Sequence, residues 1–130
     1  MLKDVEDYKI AIIGLGYVGL PLLVEFGKKY KVIGFDIDKN RINELKKNFD
    51  RTNEITEKEL SVINSNLNYT HQKEKIKNSN IYIITVPTPV DKNNTPDLSP
   101  IVSATKMVGS ILKKNDIVIY ESTVYPGCTE

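Results

Sequence analysis

The sequence predicts an α/β fold in which a doubly wound parallel sheet carries helices on both faces. Apolar runs alternate with helical patterns along the 130 residues, and this alternation is typical of parallel strands joined by right-handed crossovers. The run at 81–86 is apolar enough for a strand covered on both faces. A glycine-rich turn follows the first apolar run, at 8–13. We therefore expect one Rossmann-type, three-layer αβα domain over residues 1–130 with strand order 3-2-1-4-5.

Each element has a local signal in the sequence. Pro21 suits the first turn of a helix, where a missing N–H costs little. Asp38 is a helix cap, Thr56 and Glu59 have capping-box spacing, and Ser99 with the proline after it begins the last helix. These signals predict strands at 8–13, 31–36, 68–70, 81–86 and 116–121, and helices at 18–29, 38–47, 56–64, 72–77 and 99–114.

Composition excludes several classes of protein. The net charge of +1 offers no basic surface for nucleic acid or for an anionic membrane. One cysteine and one histidine exclude an internal disulfide and a Cys- or His-based metal site, so we expect no metal. The charged N-terminus does not resemble a signal peptide, and no apolar run is long enough to span a membrane. We expect a cytoplasmic protein.

The turn after the first strand has the pattern Gly-x-Gly-x-x-Gly, formed by Gly14, Gly16 and Gly19. The first glycine permits a tight turn, the second lets a pyrophosphate approach the backbone, and the third lets the helix pack against the strand. The start of that helix offers N–H groups and the positive end of its dipole to phosphate. The strand before the pattern and the helix after it make a dinucleotide site the favoured reading.

An acid stands where the ribose hydroxyls of a dinucleotide need an acceptor. Asp36 ends the second strand, 22 residues after Gly14. It favours NAD over NADP because a carboxylate repels a 2′-phosphate, whereas Arg41 leaves the choice open because a guanidinium can bind that phosphate. The glycine loop, Asp36, Thr88 and Thr123 all follow strand ends, so we expect them at one edge, near the switch point between strands one and four.

Three segments together carry a more specific resemblance. They are Gly-Leu-Gly-Tyr-Val-Gly-Leu-Pro at 14–21, Val-Pro-Thr-Pro at 86–89 and Glu-Ser-Thr-Val-Tyr-Pro-Gly-Cys-Thr-Glu at 121–130. In this order and spacing they resemble the N-terminal NAD-binding domain of the UDP-glucose/GDP-mannose dehydrogenase family. The last segment, with Pro-Asp-Leu-Ser at 96–99, is most similar to the branch that acts on UDP-N-acetylhexosamines in polysaccharide synthesis.

The resemblance implies an NAD-dependent oxidation of the C6 alcohol of a nucleotide sugar to a carboxylate, through a cysteine-bound intermediate. It implies that Asp36 holds the adenosine ribose, that Arg41 lies beside it, that Thr88 contacts the cofactor and that Thr123 positions water near the nicotinamide. It also implies contacts to the pyrophosphate from five residues of the loop, namely Gly14, Gly16, Tyr17, Val18 and Gly19. The family's nucleophilic cysteine and assisting lysine belong to later segments, and its members pair as homodimers.

Cys128 is the single thiol and lies at a predicted helix start, where a thiolate is stabilised, but its position does not match the family nucleophile. The chain ends as this helix begins, so we expect a central helix and a substrate domain to follow, and the 130 residues alone to be inactive. Two alternatives remain open: a stand-alone NAD-binding regulatory module, and another NAD(P) dehydrogenase of the 6-phosphogluconate type.

Overall fold

The computed structural model describes residues 8–50, 55–63 and 67–121. In this part of the chain five strands form one parallel sheet in the order β3-β2-β1-β4-β5, which confirms the predicted order. The strands are β1 (Lys9–Ile13), β2 (Lys31–Phe35), β3 (Leu67–Thr70), β4 (Ile81–Ile84) and β5 (Ile117–Tyr120). The first strand is central, so the loop that leaves it is flanked by the ends of β2 and β4.

The connections carry helices α1 (Gly19–Gly27), α2 (Lys39–Lys46), α3 (Glu57–Ile63) and α4 (Ser99–Gly109). The predicted caps are present at two of them. The Asp38 carboxylate accepts the N–H of Asn40 at the start of α2. At α3 the Thr56 hydroxyl accepts the N–H of Glu59, whose carboxylate in turn accepts the N–H of Thr56, so the capping box is confirmed. None of the helices in the described ranges is long and apolar enough to cross a membrane.

Two apolar cores lie on opposite faces of the sheet, which confirms the three-layer arrangement. One core packs α1 and α2 against the sheet through buried residues that include Leu20, Leu23 and Ile42. The other packs α4 against it through Ala104 and Val108. Alternating residues of β1 serve the two cores, with Ile12 in the first and Ile13 in the second. Both faces of this strand are therefore buried, as its apolar sequence predicts.

The predicted end of the last helix, at residue 114, is wrong, since α4 ends at Gly109. The hydroxyl of Ser110 donates to the Met107 carbonyl at 2.6 Å and satisfies an acceptor that the next helical turn would have used. Lys113 lies beyond the helix and donates to the carbonyl oxygens of Lys77 and Ser79. The predicted helix at 72–77 is only a 3-10 turn, Lys73–Lys75, and β4 ends at Ile84, two residues earlier than predicted.

The approach of α1 to β1 requires glycine at its first position. A Cβ atom built on Gly19 would lie 1.7 Å from the Gly14 carbonyl oxygen and 2.5 Å from the Thr85 hydroxyl oxygen. The Gly14 carbonyl oxygen belongs to the backbone, so it cannot rotate away from such a Cβ atom. The role that the sequence predicts for this glycine, close helix–strand packing, is confirmed.

We expect Gly19→Ala to lower the free energy of unfolding by about 3 kcal/mol, because the methyl group forces α1 away from the glycine loop. Gly109→Ala is the matched control. A Cβ atom at Gly109 meets nothing within 4 Å, so this variant should match or exceed wild-type stability by about 0.5 kcal/mol. Urea denaturation of both variants measures the difference, and equal midpoints would contradict the packing argument.

Candidate cofactor site

A cavity of about 550 Å³ opens at the carboxyl edge of the sheet, over the ends of β1, β2 and β4. Its walls come from the glycine loop, the end of β2, the segment after β4 and the first three turns of α4. The lining residues are Ile13, Gly14, Leu15, Gly16, Phe35, Asp36, Ile37, Val86, Pro87, Ser99, Pro100, Ser103, Ala104 and Met107. The cavity lies at the switch point between β1 and β4, where the sequence predicts a ligand site.

The glycine loop is held from both sides as it leaves β1. Gly14 has φ +99°, a conformation that favours glycine, which confirms the tight turn predicted there. Its N–H donates to the Phe35 carbonyl of β2 at 2.8 Å, and its carbonyl accepts the Thr85 hydroxyl at 2.6 Å from the β4 side. The chain is thus turned toward α1 in one fixed path.

The segment between this turn and α1 presents backbone donors. The N–H groups of Gly16, Tyr17 and Val18 have no hydrogen-bond partner among the residues that the structure describes. Gly16 is exposed, and a Cβ atom on it would meet nothing within 4 Å. Free N–H groups before a helix, over an open surface without a side chain, form a site for an anion such as a pyrophosphate.

Asp36 faces this segment from the end of β2. Its Oδ2 accepts the N–H of Leu15 at 3.0 Å, and its Oδ1 accepts the N–H of Asp38 at 2.9 Å. The side chain is half-buried and lines the cavity. Each carboxylate oxygen retains a further lone pair, so Asp36 can accept hydroxyl groups while it holds two loops in place.

Arg41 lies beneath the glycine loop and is 5% exposed. Its Nε donates to the Leu15 carbonyl at 2.7 Å. Its Nη1 lies 2.8 Å from Asp50 Oδ1, an ion pair whose N–H direction falls outside hydrogen-bond geometry. Burial raises the pKa of the nearby Tyr69 phenol to about 12, against the opposing effect of the Arg41 charge. The predicted ribose contact of Arg41 stays a prediction, because the guanidinium here bonds the protein's own backbone.

Sequence reasoning missed Thr85, which is buried directly after β4. Its hydroxyl lies within hydrogen-bond distance of the Ile13 and Gly14 carbonyls, and its N–H donates to Ile13. The available signal is a single hydroxyl residue between the apolar strand and Pro87. A buried hydroxyl needs a hydrogen-bond partner, and the glycine loop is the neighbouring element that has a carbonyl oxygen to accept it.

The two threonines predicted to contact the cofactor differ in what the structure describes. Thr88 is half-buried, two residues beyond Val86, and does not line the cavity. Its cofactor contact stays a prediction. Thr123 and Cys128 lie outside the described residues, so neither the predicted water-positioning hydroxyl nor the single thiol is placed.

These features together fit a dinucleotide. The loop offers free N–H groups for phosphate, the carboxylate of Asp36 faces it, and the apolar wall of Val86, Pro87 and Met107 suits flat heterocyclic rings. The fold and site define a Rossmann-type dinucleotide-binding domain.

The family model for the UDP-glucose/GDP-mannose dehydrogenase family, NAD binding domain, matches residues 8–130. The chain belongs to this family, and the cofactor of the matched domain is NAD.

Known proteins of similar sequence agree with this assignment. The chain is 57% identical over 126 residues to UDP-N-acetyl-D-glucosamine 6-dehydrogenase of Salmonella typhi, covering 97% of the chain and 29% of that protein. It is 57% identical over 121 residues to protein CapL of Staphylococcus aureus, covering 93% of the chain and 28% of that protein.

Among solved structures, UDP-D-ManNAc dehydrogenase of Pyrococcus horikoshii superposes with a TM-score of 0.82 at 36% identity. The match covers 93% of the chain and 30% of that protein. The chain therefore spans less than a third of the length of each of these relatives.

We expect Gly16→Ala to weaken NAD binding by about 1–3 kcal/mol, because the new methyl group occupies the space in which a phosphate meets the backbone. The free energy of unfolding should stay unchanged, since that methyl group meets no protein atom within 4 Å. Titration calorimetry measures the affinity, with Gly109→Ala as the control. Wild-type affinity in Gly16→Ala would place the pyrophosphate elsewhere.

Proposed function

We propose that the protein containing this domain oxidises the C6 alcohol of a UDP-N-acetylhexosamine to the carboxylate. The arrangement that supports the proposal is the glycine loop, whose free N–H groups lie next to the Asp36 carboxylate at the wall of the cavity. The choice of sugar rests on the relative from Salmonella typhi, which is named as a UDP-N-acetyl-D-glucosamine 6-dehydrogenase. Conversion of an alcohol to an acid removes four electrons and adds one water, so two NAD molecules are consumed for each sugar.

NAD, when bound, accepts a hydride at each of the two oxidations. The residues of this domain bind and orient it. We assign the pyrophosphate to the free N–H groups of the loop, with Gly14, Gly16, Tyr17, Val18 and Gly19 forming its cradle. Asp36 accepts the adenosine ribose hydroxyls, and Arg41 lies on the protein side of that contact. By the same family pattern, Thr88 contacts the cofactor and Thr123 positions water near the nicotinamide.

Asp36 also supports a preference for NAD over NADP. Its carboxylate already accepts two backbone N–H groups, which hold it fixed at the proposed ribose position. A 2′-phosphate placed there would meet a negative charge at short range. The sequence left open whether the Arg41 guanidinium binds the 2′-phosphate of NADP. In the structure this side chain is 5% exposed and forms an ion pair with Asp50.

Asp36→Asn should weaken NAD binding by about 1.5–3 kcal/mol and reduce the preference over NADP, because a charge-assisted acceptor becomes neutral. Asp38→Asn removes the same charge two residues away and keeps a good helix cap, so it should change affinity by less than about 0.5 kcal/mol. Calorimetric titration with both cofactors separates these cases. Equal losses in the two variants would mean that only net charge matters.

The wider proposal is that the protein acts in the cytoplasm, in polysaccharide synthesis. It forms a homodimer and binds a nucleotide sugar, and it binds neither nucleic acid nor membrane. We favour it over a stand-alone regulatory module because the relative from Salmonella typhi, 57% identical over 126 residues, is named as a dehydrogenase. A 6-phosphogluconate-type enzyme is disfavoured by the family match over residues 8–130.

We expect the 130 residues alone to produce no NADH from UDP-N-acetylglucosamine or UDP-N-acetylgalactosamine, and the longer protein to produce two NADH per sugar. Loss of substrate orientation alone removes about 7–11 kcal/mol of catalysis. The absorbance of NADH follows the reaction in both proteins. Turnover by the 130 residues that Cys128→Ser abolishes would make Cys128 the nucleophile, and no turnover by the longer protein would overturn the proposed substrate.

A further inference from the structure

Thr85 lies where two walls of the cavity meet. It directly follows β4 and precedes Val86 and Pro87, which line the cavity, while its own side chain is 4% exposed. Its hydroxyl oxygen lies 2.6 Å from the Gly14 carbonyl oxygen and 3.0 Å from that of Ile13. The Ile13 carbonyl already accepts the Thr85 N–H at 2.8 Å. We therefore assign the single hydroxyl proton to the Gly14 carbonyl, which is the nearer acceptor.

The Gly14 carbonyl and the Leu15 N–H belong to one peptide unit. That N–H donates to Asp36 Oδ2 at 3.0 Å, so a single amide plane connects the Thr85 hydroxyl with the Asp36 carboxylate. No backbone N–H of the described residues donates to the Gly14 carbonyl, which leaves the Thr85 hydroxyl as the donor at that end. A hydrogen bond at the carbonyl polarises the amide and strengthens its N–H as a donor. Rotation of this peptide would break both contacts together.

The packing around Thr85 fixes the position of its hydroxyl. A Cβ atom built on Gly19 would lie 2.5 Å from Thr85 Oγ1, and one built on Gly14 would lie 3.0 Å from Val86 Cγ1. Neither glycine can therefore be replaced by a larger residue without moving the segment that follows β4. Because the loop and this segment are packed so closely, a change at Thr85 acts directly on the path of the loop.

We propose that Thr85 is a positioning residue for Asp36 and acts on it through the peptide between Gly14 and Leu15. The inference rests on the cofactor role proposed above for the glycine loop and Asp36. The Thr85 hydroxyl orients the peptide, the peptide N–H orients the carboxylate, and the carboxylate receives the ribose hydroxyls. Thr85 does not line the cavity, so its effect on the cofactor is indirect.

Two variants that differ by one oxygen atom test the role of the hydroxyl. Thr85→Ser and Thr85→Ala both lose the methyl group, so both should lose stability, but only Thr85→Ala leaves the Gly14 carbonyl without its donor. We expect NAD to bind about tenfold more weakly to Thr85→Ala and within about twofold of wild type to Thr85→Ser. Titration at a temperature well below the unfolding midpoints measures both affinities. A purely structural role would instead lower stability in both variants and leave both affinities unchanged.

Thr70→Ala is the matched control. Thr70 is also buried, with 8% of its surface exposed, and its hydroxyl accepts the N–H of Gln72 at 3.0 Å at the end of β3. This variant should lose stability to a similar degree and keep wild-type NAD affinity. A tenfold loss of affinity in Thr70→Ala as well would show that any destabilisation of the carboxyl edge weakens binding, and would overturn the specific role of Thr85.

A double-mutant cycle tests whether Thr85 acts through Asp36. In a chain that already carries Asp36→Ala, the peptide N–H has no carboxylate to orient, so Thr85→Ala should change NAD affinity by less than about twofold. Titrations followed by NMR measure the weak affinities of these variants. The full tenfold loss in both backgrounds would overturn the connection to Asp36.

A measurement without cofactor tests the hydrogen bonds themselves. Hydrogen exchange of the Leu15 amide, followed by NMR, should be about tenfold faster in Thr85→Ala than in wild type, while Thr85→Ser keeps the wild-type rate and the Ile12 amide within β1 is unchanged in both. Unchanged exchange at Leu15 in Thr85→Ala would overturn the proposal. A wild-type chain that does not bind NAD would refute the proposed function, whereas the exchange rate of Leu15 decides the link between Thr85 and Asp36 independently of any cofactor.

Discussion

The close approach between the start of α1 and the end of β1 is the constraint on which the carboxyl edge depends. No side chain fits at Gly19, because the Gly14 carbonyl occupies that space. The same carbonyl accepts the Thr85 hydroxyl, while the Gly14 N–H reaches β2. The loop is therefore packed between its two neighbouring strands before any ligand is considered. A loop ordered in this way presents its free N–H groups without an ordering cost at the moment of binding.

Charge at this edge is arranged in a chain of contacts. The buried pair of Arg41 and Asp50 lies under the loop, the Leu15 peptide lies above it, and Asp36 completes the sequence at the cavity wall. Each member is held by the one before, so the acid that meets solvent is the end of a rigid network. Tyr69, near Arg41, is also buried, and this burial raises the pKa of its phenol to about 12. Low solvent access strengthens each of these hydrogen bonds relative to the same contact in water.

Much of the fold was predictable because its signals are local. The strand order, the tight turn at Gly14, the capping box of Thr56 and Glu59 and the acid at the end of β2 all follow from residue type and spacing. The end of α4 was not predictable from its apolar and charged pattern, since the pattern continues past Gly109. There the hydroxyl of Ser110 and the reach of Lys113 to another segment decide the outcome. A contact between two distant segments does not change the hydrophobic periodicity of either segment, so it cannot be predicted from that pattern.

The sequence by itself determined the class of fold, the glycine loop and the position of Asp36, because each requires a particular residue at a particular spacing along one stretch of chain. Only the tertiary structure decided what Arg41 and Thr85 do. The same Arg41 side chain is compatible with an exposed phosphate contact or with a buried ion pair, and the choice depends on where Asp50 and the Leu15 carbonyl lie. A hydroxyl or a guanidinium takes its role from its partners, and partners far apart in sequence meet only once the sheet has formed.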